Sequence, residues 1–162
     1  MPVLISSRLR SRRVRLPVMR SLAERVLRAA GASRSSLSLL LVGDRTMRRL
    51  NKTYRRKDRT TDVLAFPVPP THSLPRKGGG LGRGMLGDIV ISIPQAARQA
   101  KRAGHSLDHE IAVLVIHGTL HLLGYDHERS AREAKRMQRK ERTVMRALGR
   151  IPKMTKNVMS NE

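Results

Sequence analysis

Three of the chain's six histidines fall in one short stretch, His117-Gly-Thr-Leu-His121-Leu-Leu-Gly124-Tyr-Asp126-His127. On a helix, residues four apart project from one face about one turn apart, so His117 and His121 are expected to point the same way. Gly124 can take a left-handed conformation that turns the chain back and returns His127 toward the same point. Three neutral imidazoles converging on one ion leave a position open, the arrangement of catalytic rather than structural zinc. Packed or capping histidines are the bland alternative, but three at this spacing in an otherwise apolar helix fit it poorly. One Zn2+ per chain is the expected cofactor. The offsets match the long zinc-protease pattern H-E-x-x-H-x-x-G-x-x-H, except that Gly118 stands where that pattern has its general-base glutamate. A zinc peptidase would need Asp126 or Glu128 to supply the missing carboxylate, which makes peptide hydrolysis a minority reading. A zinc hydrolase can instead cut phosphodiesters. The ion polarises a phosphoryl oxygen or lowers the pKa of its water to about 7, and a guanidinium stabilises the added negative charge.

The rest of the chain must hold those histidines and gather a substrate. It has 162 residues, 39% of them hydrophobic, enough for one globular domain with a real core. With 34 Lys+Arg against 12 Asp+Glu, the formal charge of +22 implies a polyanionic partner, most economically a nucleic acid. Cysteine is absent, which excludes disulfide partners, a thiolate zinc site and a cysteine nucleophile. The longest apolar runs, Leu37 to Val42 and Ile111 to Ile116, are far too short for a bilayer span, so no membrane association is expected. Aromatics (Phe66, Tyr54, Tyr125) make up only 2%, which argues against single-strand readers built on several stacking platforms. Contacts to phosphate should dominate. Arg8, Arg10, Arg12, Arg13 and Arg15 give an Arg-rich start without the apolar core of a secretory signal. A cytoplasmic location is expected, with an organellar matrix as the alternative.

Periodicity predicts the elements. Val3–Ile5 reads as a strand and residues 18–30 as an amphipathic helix stopped by Gly31. Leu37–Val42 reads as a buried strand. Asp44 is expected to cap a helix to about Tyr54, with Met47, Leu50 and Tyr54 inward. Val63–Phe66 and Ile89–Ile93 read as strands on either side of a Pro/Gly-rich loop, and Pro94 opens a helix to about Ala103. Ser106 should cap the central, buried helix through Leu123, ended by Gly124. Ser130 and Glu133 form a capping box for a last helix, with Ala134, Met137, Val144, Met145 and Leu148 inward. The expected class is α+β, one layer of sheet against helices, with residues 1–150 forming a single domain and 151–162 a flexible tail.

The chain resembles the YbeY family of ribosomal-RNA maturation factors. The resemblance is carried by HGTLHLLGYDH at His117–His127 and by Leu50-Asn51, Tyr54-Arg55, Lys57-Asp58 and Thr61-Asp62-Val63-Leu64-Ala65-Phe66-Pro67. Leu86-Gly87-Asp88-Ile89-Val90-Ile91 is a third block. Ala65 and Thr60 depart from the family's usual Ser and Pro. The resemblance implies a zincin-like mixed sheet flanked by about five helices, with a central buried helix bearing the metal ligands His117, His121 and His127. It also implies a zinc-dependent, single-strand-specific endoribonuclease acting in ribosomal-RNA maturation, such as 16S-type 3′ end processing, and in ribosome quality control. Single-stranded and ribosomal RNA and ribosomal particles are the partners that follow. A ribosome-assembly RNA-binding factor with a mainly structural metal remains the alternative.

The family's functionally important arginine falls on Arg55, a candidate phosphate clamp, with Lys57 a second. Asp62, Asp88 and Asp126 are candidates for the acceptors that metal-bound imidazoles usually find for their other N–H. Gly82-x-Gly84-x-x-Gly87 fits a dinucleotide fingerprint as text, but it precedes a strand, so it is set aside. His72, His105 and His109 lack partner spacing. Basic runs such as Arg55–Arg59 and Lys135–Arg142 are usually solvated faces, and some of them should form an RNA track here.

Overall fold

The computed structural model describes residues 3–9, 14–68 and 84–156; His72 and Gly82 lie outside them. Four strands form one mixed sheet: β1 (Val3–Ser7), β2 (Ser35–Val42), β3 (Val63–Pro67) and β4 (Gly84–Ser92), in the order β1-β2-β4-β3. β1, β2 and β4 run parallel, and β3 pairs antiparallel with β4 as an edge strand. Five helices complete the α+β fold: α1 (Leu16–Ala29), α2 (Asp44–Arg55), α3 (Ile93–Ala103), α4 (Leu107–Leu122) and α5 (Ala131–Leu148).

The strands' two-residue alternation sorts their side chains between two cores. Leu37, Leu39 and Leu41 of β2 and Ile89 and Ile91 of β4 join α1, α4 and α5 in the larger one. Leu40, Val42 and Val90 face the other way together with Leu64 of β3, and Met47 of α2 packs onto them. α1, α4 and α5 therefore lie on one face of the single sheet and α2 on the other, in keeping with the expected one layer of sheet flanked by helices. Toward their C-terminal ends β2 and β4 are apolar on both sides (residues 39–42 and 89–91), as strands covered twice must be.

α4 is the central helix. Ser106 caps its start by accepting the His109 N–H, and most of its residues from Glu110 to Leu122 are buried. Gly118 makes its approach to the sheet possible: a Cβ there would meet Ile89 Cγ2 at 3.0 Å. Gly87 does the same for β3 and β4. At φ +146° it sits where a Cβ would fall 2.1 Å from the Phe66 carbonyl oxygen.

Several boundaries differ from the expected ones. Gly43 is the N-cap of α2, and Asp44 is its first helical residue. Its carboxylate instead accepts from Thr60 Oγ1 (3.1 Å), Ser92 Oγ (3.1 Å) and Arg98 Nη2 (2.8 Å), tying α2 to α3. The Arg98 hydrogen bond holds that carboxyl below the usual carboxylate range. β4 starts at Gly84 rather than Ile89, and Ile93 heads α3 behind the Ser92 cap. Ser130 caps α5 by accepting the Glu133 N–H, while Glu133 pairs with Arg136 at 3.6 Å. The first part of the expected flexible tail is docked. Met154 is fully buried, and the Met154 and Thr155 N–H groups donate to Asp108. Thr155 also bridges to Val14, and residues 157–162 lie outside the described ones.

Candidate metal centre

The last turns of α4 carry His117 and His121 on one face, as their spacing requires. Leu123 closes the helix, and Gly124 follows at φ +99°. The Tyr125 N–H donates back to the Leu120 carbonyl at 3.0 Å, fixing the reversal that returns His127 to the first two histidines. The three rings lie with centroids 4.7, 5.2 and 5.1 Å apart, and one nitrogen from each falls within 4.8 Å of the other two.

These residues fit a metal ion. Ligands 2.0–2.1 Å from one tetrahedral ion stand about 3.3 Å apart, and the Nε2 atoms of His117 and His121 are separated by 3.1 Å. Burial, then the neighbouring His117 and His127 imidazoles, push the basicity of His121 down, which favours the neutral form a ligand needs. His117 Nδ1 lies 2.6 Å from Glu141 Oε1 on α5. A proton held between those two atoms leaves Nε2 of His117 free to face the centre. Three nitrogen donors would fill three of the four positions a tetrahedral ion offers and would leave one for substrate or water.

Around the centre is a cleft of about 560 Å3, walled by β3, the end of α2 and the turn after α4. Arg55 reaches it because Arg56, in the left-handed conformation, ends α2 beside the cleft. Arg55 Nη2 stands 3.7 Å from Glu128 Oε1, which is itself 4.0 Å from His127 Nε2. The geometry thus brings Arg55 together with His117, His121 and His127. Lys57 is exposed in the following turn and does not line the cleft.

None of the three aspartates is hydrogen-bonded to a histidine among the described residues. Asp62 lines the cleft but accepts from its neighbours, Thr61 Oγ1 (3.2 Å) and the Val63 N–H (2.8 Å). Asp126 accepts the Glu128 N–H at 2.9 Å. Asp88 hydrogen-bonds Ser38 on the sheet face that α2 covers, opposite α4, because it alternates with Ile89 and Ile91. The carboxylate that orients a histidine is Glu141, which sequence reasoning missed. A signal existed: Glu141 interrupts the inward series Met137, Val144, Leu148 of α5 with a charge. Glu141→Gln is expected to weaken Zn2+ affinity by roughly 10- to 100-fold, the cost of losing a histidine's outer partner. A competition titration against a chelating dye measures it, and wild-type affinity would reduce Glu141 to a packing role.

A family model described as Endoribonuclease YbeY matches residues 5–149. The chain is 41% identical over 143 residues to the Endoribonuclease YbeY of Aquifex aeolicus, covering 88% of this chain and 90% of the relative. It is 42% identical over 151 residues to that of Geobacter metallireducens, covering 93% and 97%. In fold it is similar to a Thermotoga maritima protein solved in solution, with TM-score 0.61 and 24% identity over 91% of this chain and 89% of the other.

Proposed function

The chain belongs to the Endoribonuclease YbeY family, and from that premise we propose that it is a zinc-dependent endoribonuclease that cuts single-stranded RNA. Its place would be ribosomal-RNA maturation, including 16S-type 3′ end processing, and ribosome quality control. The observation that carries this reading is the convergence of three ligand nitrogens and one guanidinium on a single cleft. Zinc bound there supplies a Lewis acid for the phosphoryl oxygen and lowers the pKa of water. Arg55 binds the scissile phosphate through its planar fork, and Glu128, its present partner, gives way to the incoming phosphate oxygens. The charge of +22 attracts a polyanion such as RNA. Gly118, packed on Ile89, supplies no helix-borne base for peptide hydrolysis. We place this work in the cytoplasm, with an organellar matrix as the alternative.

The test is metal removal. Chelator-treated protein is expected to lose cleavage of single-stranded RNA and to regain it on adding Zn2+. Cutting that is indifferent to the chelator would overturn the zinc mechanism. Salt-sensitive binding to ribosomal particles without any metal-dependent cutting would replace it with the assembly-factor reading.

A further inference from the structure

Tyr54 is 65% exposed, one of three large hydrophobic side chains so placed among the described residues. The chain has only two tyrosines, one phenylalanine and no tryptophan, yet two of these three rings meet on the wall of the metal cleft. Periodicity puts Tyr54 on the inner side of α2 with Met47, but only Met47 is buried. Phe66, on the edge strand β3, meets the Tyr54 ring edge-on, with centroids 5.1 Å apart and planes at 65°. Phe66 therefore braces the ring while much of its surface stays open. Tyr125, the third aromatic, is half-buried against the core with the Arg136 guanidinium 5.0 Å from its ring centre. It offers no second platform.

We propose that Tyr54, held by Phe66, is a nucleobase-stacking subsite of the cleft, taking an unpaired base of the strand whose phosphate Arg55 binds. The proposal rests on the RNA-cleaving reading and adds a source of single-strand preference. An aromatic face stacks on any base and so recognises exposure rather than sequence. In a duplex both faces of each base are already covered by neighbours, so only an unpaired base can reach the ring. Tyr54 and Arg55 are consecutive residues of one helical turn. Base and backbone of one strand can therefore be held by one rigid element.

Binding is measured on the His121→Ala background, where RNA is not consumed, using a short single-stranded RNA and the same RNA with abasic positions. Adding Tyr54→Ala is expected to weaken binding of the intact RNA by about 5- to 140-fold, the range for loss of one base–aromatic stack. Binding of the abasic RNA should barely change, and Tyr54→Phe should restore intact-RNA affinity. Tyr54→Leu keeps an apolar contact for Phe66 without the π face and should behave as the alanine variant does. It serves as the control for loss of fold. Equal losses on intact and abasic RNA, or none on either, would overturn the subsite. Because this readout is affinity, it stands apart from cleavage. A wild-type protein that binds through Tyr54 but never cuts would refute the nuclease reading and leave the subsite in place.

Discussion

His121→Ala is expected to abolish metal-dependent RNA cleavage and to weaken Zn2+ binding well beyond the roughly 10- to 100-fold cost of losing an outer partner such as Glu141. The reason is the donor count. Three ring nitrogens lie within 4.8 Å of one another, and among the described residues the carboxylate bonded to the set, Glu141, holds His117 Nδ1 from behind and offers no fourth donor to the centre. Removing His121 leaves two ligands, fewer than the three a catalytic zinc site uses. The fold should survive, because His121 is only half-buried and its neighbours Leu120 and Leu122 carry the packing of that turn. A ligand at 100 times its Kd stabilises a protein by about 2.7 kcal/mol, and for a chain of this size each kcal/mol moves Tm by about 2–4 °C. Wild-type protein in excess zinc should therefore melt several degrees higher than without it, and His121→Ala should not respond. Full cleavage activity in the variant would sink the metal mechanism whatever its melting curve.

The histidine site was legible because it is local. His117, His121, Gly124 and His127 belong to one helix end and one turn, so 3.6-residue periodicity and a glycine's freedom place all three rings without knowledge of the tertiary fold. Arg55 is different. Its approach depends on how α2 crosses the far face of the sheet and ends beside β3, which no spacing encodes; its place at a helix end before the Thr61–Pro67 strand, together with the family resemblance, singled it out among 34 basic residues. Glu141 depends on α5 packing against α4, a relation between segments 24 positions apart. The misplacement of Asp88 has a sharper cause. Ile89, Val90 and Ile91 are all apolar, so alternation could not show which face looks toward α4, and a one-residue change in parity moves every side chain across the sheet. Tyr54 escaped because an aromatic at an inward helical position normally means core, and here the helix overhangs the sheet edge.

Arg55→Ala is expected to lower RNA cleavage by roughly 10²- to 10³-fold, the usual effect of deleting one donor aimed at developing charge, while leaving Zn2+ affinity near wild type. The two effects separate because Arg55 is not a ligand: its guanidinium contacts Glu128, 3.7 Å away, across the cleft from the α4 histidines. Deleting it also takes the neighbouring cation away from Glu128, and the Asp126 and Glu128 charges beside His121 favour a cation there. Metal occupancy should thus hold or rise slightly as cleavage falls, the opposite pairing to that expected of His121→Ala. Arg55→Lys should recover only part of the loss, because an ammonium is a point charge without the guanidinium's two-pronged fit to phosphate. Single-turnover rates with saturating RNA separate chemistry from binding: a clamp active in the transition state lowers the rate itself, whereas a surface cation raises only the RNA concentration required. The second pattern would make Arg55 one more contributor to a field of +22, and Glu128 would then lose its reason to face it.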